Sequence, residues 1–240
     1  LSVSFHCWED QSCPLLEYTT YLSVLFDKKQ QIPKSYVWSN SDITSTLFAG
    51  TASGTIVAYQ IQSNDNKIIQ VLPICLIFGH NEKITSLVNY LSLIHNSCIV
   101  SLSIDGSISV ISVEDFSIIK NVQKLFSRSS MFLCANDSNK SILIASQSYG
   151  TIEVADIKEE TILYRISQFP SIITGLYKIG LLNCVSFANG CTSIFSVFKN
   201  TVVCNYCFDS VKNDLNIFES VLSPNLDYIL YLSPNKWYLM

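Results

Sequence analysis

The chain has 240 residues, a formal net charge of −4 and a sequence pI near 5.3, so it lacks the excess of Lys and Arg that non-specific nucleic-acid binding needs. Hydrophobic residues make up 48% and charged residues 14%, which excludes the composition of a disordered chain. The mean hydropathy is +0.31, yet no apolar run reaches the roughly 18 to 20 residues of a spanning helix. We therefore expect buried strands, no nucleic-acid partner and no spanning membrane segment.

The cysteines are nine in number and scattered, and most lie in apolar strand sequence, as Cys184 does. An odd count in a chain of this length favours reduced thiols in the core and a cytoplasmic location. Cys204 and Cys207 invite a zinc or redox interpretation. Residues i and i+3 of a strand point to opposite faces, however, and no second Cys or His pair has ligand spacing. Buried structural cysteines are the favoured interpretation, and we predict no metal and no cofactor.

The chain repeats a short pattern, in which a Gly follows a polar or aromatic residue and precedes an alternating strand. The glycines of this pattern are Gly54, Gly106, Gly150 and Gly190, which are 52, 44 and 40 residues apart. These periods are typical of repeated blades of strands. A phosphate-binding loop would need a Gly-x-Gly-x-x-Gly or Gly-Lys-Ser/Thr run, which the chain lacks, so these are predicted to be turn glycines.

The first predicted blade contains an insertion, Asp27 to Asp42, that a blade does not need. Its four strands are predicted at Leu22 to Phe26, Ile43 to Ala49, Thr55 to Ile61 and Ile68 to Phe78. The insertion carries Tyr36 and Trp38, and it is either a solvated loop or a partner contact, because aromatic side chains on loops are suitable anchors.

Alternating apolar runs separated by turn signals predict the later blades in the same way. Asp105-Gly106 is a strong hairpin signal between two of these runs. The strands of the second blade are predicted at Ile84 to Tyr90, Cys98 to Ile104, Ser107 to Val113 and Phe116 to Val122. Those that follow are Met131 to Ala135, Ser141 to Ser146, Thr151 to Ile157, Thr161 to Ile166, Ile172 to Lys178, Leu181 to Phe187, Thr192 to Phe198, Thr201 to Phe208, Asn216 to Leu222 and Tyr228 to Leu232.

The run from Gly79-His80 to Ser112 resembles the WD repeat, whose signature extends from a Gly-His pair to a Trp-Asp pair. The chain departs from it at the Trp position, which Tyr59, Ile111, Ala155 and Phe195 occupy; Asp156 retains the final acid. The resemblance implies that His80, Asp105 and either Ser101 or Ser103 hydrogen-bond within the blade. The structural motif residues are therefore predicted to be Gly54, Gly79, His80, Ser101, Asp105, Gly106, Gly150 and Asp156. His80 as a general base is the alternative, but no nucleophile motif accompanies it.

A narrower resemblance covers about residues 43 to 166. The run from Leu72 to Leu87, with Pro73, Phe78, Gly79 and His80, is similar to the first propeller of the beta subunit of rabconnectin-3. That resemblance implies a scaffold in assembly or regulation of the vacuolar-type proton-pumping ATPase, at endomembrane surfaces through its partners.

The sequence thus predicts an all-β fold, a degenerate WD-repeat-like β-propeller of four-stranded antiparallel blades, in a ring that is incomplete or open. One domain is expected over 1–240, with blades near 15–78, 79–125, 126–168, 169–208 and a partial 209–240. A β-sandwich is the alternative fold. The expected function is a non-enzymatic scaffold within a multi-subunit complex. The alternatives are an adaptor in a vesicle coat or ubiquitin ligase, and a small-molecule-binding or enzymatic propeller.

Overall fold

The computed structural model describes the strands and most of their connections. The described residues are 2–7, 15–21, 33–40, 45–64, 67–90, 97–135, 141–147, 149–167, 169, 171–179, 182–189, 191–198, 201–208, 219–222, 229–233 and 236–239. Within these ranges the chain is all-β, with antiparallel sheets of the propeller-blade type and no closed sheet. None of the described residues belongs to a helix with the length and apolar character needed to cross a membrane.

The chain divides into two compact units. The first comprises residues 1–89, 97–103 and 108–121, and the second comprises 90–96, 104–107 and 122–240.

The first unit begins with a two-stranded hairpin and a four-stranded sheet in consecutive order. The hairpin strands are β1 (Ser2–Cys7) and β2 (Leu15–Tyr21). The sheet strands are β3 (Pro33–Asn40), β4 (Ser45–Thr51), β5 (Thr55–Asn64) and β6 (Lys67–Phe78).

The strand β3 corrects the expectation of a loop insertion over Asp27 to Asp42. Residues 33–40 pair with β4, with Tyr36 opposite Ala49, and so form the first strand of the sheet. The predicted strand at Leu22 to Phe26 lies outside the described residues. Alternation is weak between Pro33 and Asn40, since only Tyr36, Val37 and Trp38 are large and apolar. Pairing with the strongly buried β4 supplies the strand that local sequence does not signal.

A second four-stranded sheet follows, also in consecutive order. Its strands are β7 (Ile84–Tyr90), β8 (Cys98–Ser103), β9 (Ile108–Ser112) and β10 (Ile118–Val122). The pairing of Leu102 with Ile108 places Asp105-Gly106 in the turn between β8 and β9, as the hairpin signal predicted.

The second unit contains two four-stranded sheets and one three-stranded sheet. The strand β15 contacts both β11 and β19. The strands are β11 (Ser130–Ala135), β12 (Ile142–Gln147), β13 (Ile152–Asp156), β14 (Thr161–Ile166), β15 (Ile173–Ile179), β16 (Leu182–Phe187), β17 (Thr192–Phe198), β18 (Thr201–Phe208), β19 (Glu219–Leu222), β20 (Ile229–Ser233) and β21 (Lys236–Leu239).

Each unit has an apolar core packed between sheets. In the first unit, Phe48 and Ile56 pack with Ile84, Ile99 and Ile111. In the second unit, residues of β11 to β13 pack with residues of β15 to β17, among them Ile144, Val154, Val185, Phe187 and Phe195. Apolar side chains on successive strands therefore hold adjacent sheets together within each unit.

Candidate interaction surface and sheet-stapling residues

The turn glycines have a backbone conformation that other residues rarely adopt. The φ angles of Gly54, Gly106 and Gly150 are +86°, +86° and +79°. Gly190 lies outside the described residues. A residue with positive φ at this position forms a tight hairpin turn whose twist matches that of the two flanking strands.

The same glycines also lie against the connectors, the segments that join the last strand of one sheet to the first strand of the next. A Cβ on Gly54 would collide with the carbonyl of His80, and a Cβ on Gly106 would collide with that of Phe126. His80 N donates to Gly54 O at 3.2 Å, and Phe126 N donates to Gly106 O at 2.9 Å. The repeated glycine therefore serves two requirements, a left-handed turn and close approach of a connector.

His80 lies in the connector between β6 and β7 and contacts β8. Its Nε2 is 2.7 Å from Oγ of the buried Ser101, and Ser101 Oγ donates to Ser109 O at 3.3 Å. Ser103, the alternative partner, donates instead to Glu82 O at 3.3 Å. The geometry therefore places His80 and Ser101 together, and both serines bind the connector to the sheet.

Asp105 lies in the turn between β8 and β9, Asp156 is the last residue of β13, and both organise turns. Asp105 Oδ1 accepts bonds from Ser107 N at 2.9 Å and from Ser107 Oγ at 2.7 Å. Asp156 Oδ1 accepts a bond from Lys158 N at 2.8 Å, while Oδ2 accepts one from Ser141 Oγ at 3.1 Å. Both carboxylates thus hold local backbone, as Asx turns do.

A second polar arrangement, which sequence reasoning missed, joins strands β9 and β10 to the connector between β6 and β7. Asn121 Nδ2 donates to Gly79 O at 2.8 Å and to Ser109 Oγ at 3.0 Å. Ser109 Oγ donates to the same Gly79 carbonyl at 3.0 Å. We call this group, Ser109, Asn121 and the Gly79 carbonyl, the neutral staple.

In the sheet β11–β14, a charged group joins strands β13 and β14 to the connector between β10 and β11. The buried Glu153 accepts bonds from Ser127 N at 2.7 Å, from Ser127 Oγ, and from Arg165 Nε at 2.8 Å. We call Glu153, Arg165 and Ser127 the charged staple. Ser109 and Glu153 are each the third residue after a turn glycine, and each has its strand partner 12 residues later. That shared offset is the sequence signal that could have revealed both staples.

The Trp position of the repeat is filled by packing. Ile111, Ala155 and Phe195 are fully buried there, and Ile111 and Phe195 belong to the two cores. Tyr59 is also buried, and its hydroxyl has no hydrogen-bond partner among the described residues. Burial, together with the neighbouring Tyr36 phenol, raises the pKa of Tyr59 to about 12.

Among the described side chains, Cys75, Cys98, Cys134, Cys184 and Cys191 form no disulfide, and Cys98, Cys134 and Cys184 are buried. Burial raises the pKa of Cys184 to about 12, so this thiol stays protonated. The side chains of Cys204 and Cys207 lie outside the described residues. In the part of the chain that is described, no three His, Cys, Asp or Glu side chains lie close enough together to hold a metal ion.

Two large apolar side chains are exposed where two turns and a connector of the second unit meet. Tyr149 is 83% exposed and Ile172 is 50% exposed. Next to Tyr149, a Cβ on Gly150 would lie 3.0 Å from Ser171 O, and Ala188 N donates to Ile172 O at 2.8 Å. We call Tyr149 and Ile172 the turn-end patch. Tyr36 is 43% exposed on β3, while the side chain of Trp38 lies outside the described residues.

Comparison with known proteins identifies the fold but no family. No family and no curated protein matches the chain. A chain in the crystal structure of the mitotic checkpoint complex is similar over 100% of this chain and 83% of its own length, with a TM-score of 0.62 and 13% identity. As 1415 chains of solved structures match, the fold alone does not assign a function.

The arrangement of these groups is suited to holding sheets and presenting turns. The polar side chains of the two staples, of the motif aspartates and of His80 and Ser101 are engaged with backbone or with one another, and the turn-end patch presents apolar surface to solvent. A rigid framework with exposed turns is a common platform for protein recognition.

Proposed function

We propose that the chain is a non-enzymatic scaffold of WD-repeat type that binds other proteins within a multi-subunit complex. The turn-end patch is the observation that supports this most directly. Two exposed apolar side chains, one of them aromatic, on segments whose backbones approach closely are the composition of an interaction anchor. The stapled connectors add support, because they fix the turns before a partner arrives and so lower the entropy lost on binding. The proposal includes a single propeller domain over 1–240.

Within this class, we propose a role in assembly or regulation of the vacuolar-type proton-pumping ATPase, in the cytoplasm and at endomembrane surfaces through partners. The resemblance of the run from Leu72 to Leu87 to the beta subunit of rabconnectin-3 is its support. A role as an adaptor in a vesicle coat or ubiquitin ligase is the alternative within the scaffold class.

Affinity purification with quantitative mass spectrometry tests both levels of the proposal. We expect the tagged chain to recover a stable set of proteins that the Tyr149→Ser/Ile172→Ser variant loses. The matched control is Ile118→Ser/Ile119→Ser, which removes two apolar side chains of β10 that are each 39% exposed. Recovery of pump subunits supports the role in the proton-pumping ATPase. Recovery of a different stable complex contradicts that role and supports the adaptor role. A chain recovered without partners contradicts the scaffold proposal.

A further inference from the structure

The strand β6 is the last strand of its sheet and pairs with β5 on one side. The strand β2 lies near β6 but belongs to the separate sheet formed with β1. An edge strand presents unpaired backbone N–H and C=O groups, which are a template for pairing with another strand.

One face of β6 carries an exposed apolar stripe. Ile74, Leu76 and Phe78 are 43%, 45% and 75% exposed, whereas Ile77 is buried in the core of the first unit and Cys75 packs against that core. The alternation follows from the two-residue period of a strand. No strand of the described residues pairs with this edge of β6, which therefore combines an open backbone edge with three apolar side chains at regular spacing.

This edge lacks the usual protection against pairing. No Asp, Glu, Lys or Arg occurs between Lys67 and Glu82, although natural edge strands commonly carry charges that prevent association. Pro73 removes one backbone donor, but it precedes the stripe. Residues 74–78 are thus an unprotected edge of five residues.

We propose that this edge pairs with a second copy of the chain, β6 against β6, antiparallel and centred on Leu76. A two-fold axis through Leu76 brings Leu76 opposite Leu76 and Ile74 opposite Phe78. The stripe is therefore self-complementary, which a two-fold interface requires. No charged residue of one copy faces a like charge of the other within 68–81, and each apolar cross-strand pair is favourable. Self-association through β6 does not depend on the scaffold role.

Sedimentation of the full chain over a range of concentrations tests the pairing. We expect the wild type to form a dimer, and Leu76→Lys and Leu76→Glu each to raise its dissociation constant about tenfold or more, since each variant places like charges opposite one another. An equimolar mixture of the two variants should regain the dimer, because Lys then faces Glu. Ile119→Lys, at a residue of β10 that is 39% exposed, is the matched control and should leave the dimer unchanged.

A neutral variant keeps the test decisive if either charged variant fails to fold. Leu76→Thr retains strand propensity and should weaken the dimer while preserving the far-ultraviolet circular dichroism of the wild type. A wild-type chain that stays monomeric overturns the proposal, as does a chain that dimerises equally well with Thr, Lys or Glu at this position. A monomer that binds a different protein through Leu76 also overturns it.

Discussion

The sheets β7–β10 and β11–β14 solve the same structural problem with different chemistry. In each sheet, a connector bonds to the third residue after a turn glycine, and that residue bonds to a residue 12 positions further on. The first sheet does so with the hydroxyl of Ser109 and the amide of Asn121. The second uses the carboxylate of Glu153, with Arg165 as its cation.

The difference shows that the position of the staple, rather than its residue types, is the constant feature of these sheets. A neutral staple leaves no charge to compensate when one partner is removed. The charged staple gains stronger hydrogen bonds, but it buries a carboxylate that needs its cation. We therefore expect the two sheets to respond differently to equivalent substitutions.

The largest effect is expected at the turn glycines. Gly106→Ala should lower the free energy of unfolding by about 2 kcal/mol or more, because Ala is strained at positive φ and its Cβ collides with the Phe126 carbonyl. Gly150→Ala should cost less, since the nearest atoms there are 3.0 and 3.1 Å away. Urea denaturation checks both. Gly106→Asn separates the causes: Asn tolerates the left-handed region, so stability equal to the wild type would rule out the collision.

The next largest loss of stability is expected when the strand partner in each staple, Arg165 or Asn121, is replaced. Arg165→Met should cost about 2 kcal/mol, less than for a fully buried pair because Arg165 is mostly exposed. Asn121→Leu should cost about 1 kcal/mol, the value of neutral hydrogen bonds. Thermal denaturation measures both, with Lys158→Met as the control, because the Lys158–Glu159 pair is exposed. Equal costs for Arg165→Met and Asn121→Leu would remove the distinction between the staples.

The third sheet in the comparison is β3–β6, where Tyr59 occupies the position that holds Trp in the WD repeat. Tyr59→Phe removes a buried hydroxyl that has no described partner and should raise stability by up to about 1 kcal/mol. The pKa of Tyr59 is raised from 10.0 to about 12 in the folded chain. Above pH 10 the unfolded chain therefore loses this proton more readily than the folded chain, so stability falls as the pH rises from 10 towards 12. Denaturation between these pH values should show a flatter alkaline decline for Tyr59→Phe, and an unchanged decline would be evidence against this assignment.

The smallest effect is expected in the turn between β9 and β10. Hydrogen bonds from Ser112 and from Ser117 lower the pKa of the exposed Asp115 carboxyl. The associated stability is present above the ordinary pKa of Asp and is lost as the pH falls through the lowered value. Carbon-detected NMR titration should find this pKa below that of the Ser117→Ala variant. A higher or equal value in the wild type would show that the bond from Ser117 Oγ to Asp115 is not formed.

Strand positions were largely predictable, because alternation and turn residues are local properties. The predicted strands Ile84–Tyr90, Thr161–Ile166 and Thr201–Phe208 are confirmed at both ends. The strand β3 was not predictable, since it forms by pairing with the buried β4 rather than by its own alternation.

The staples could not be predicted from the sequence either, because their hydrogen bonds join residues that are distant along the chain. A contact of His80 with either Ser101 or Ser103 was expected from the WD resemblance, whereas the partners of Ser109 and Glu153 lie 12 to 30 residues away along the chain. A lone Glu in an apolar strand does not reveal its cation. Only the register Glu153 opposite Arg165 and the approach of the connector bring the group together.

A double-mutant cycle on Glu153 and Arg165 tests most directly whether the side chains of the staples act together to stabilise their sheets. The cycle compares Glu153→Gln, Arg165→Met and the double variant in urea denaturation, with the cycle Ser109→Ala and Asn121→Leu alongside. We predict coupling energies of about 1–3 kcal/mol for the charged pair and about 0.5–1 kcal/mol for the neutral pair. Coupling energies of zero in both cycles would contradict the account, because the contacts would then contribute nothing to holding the sheets.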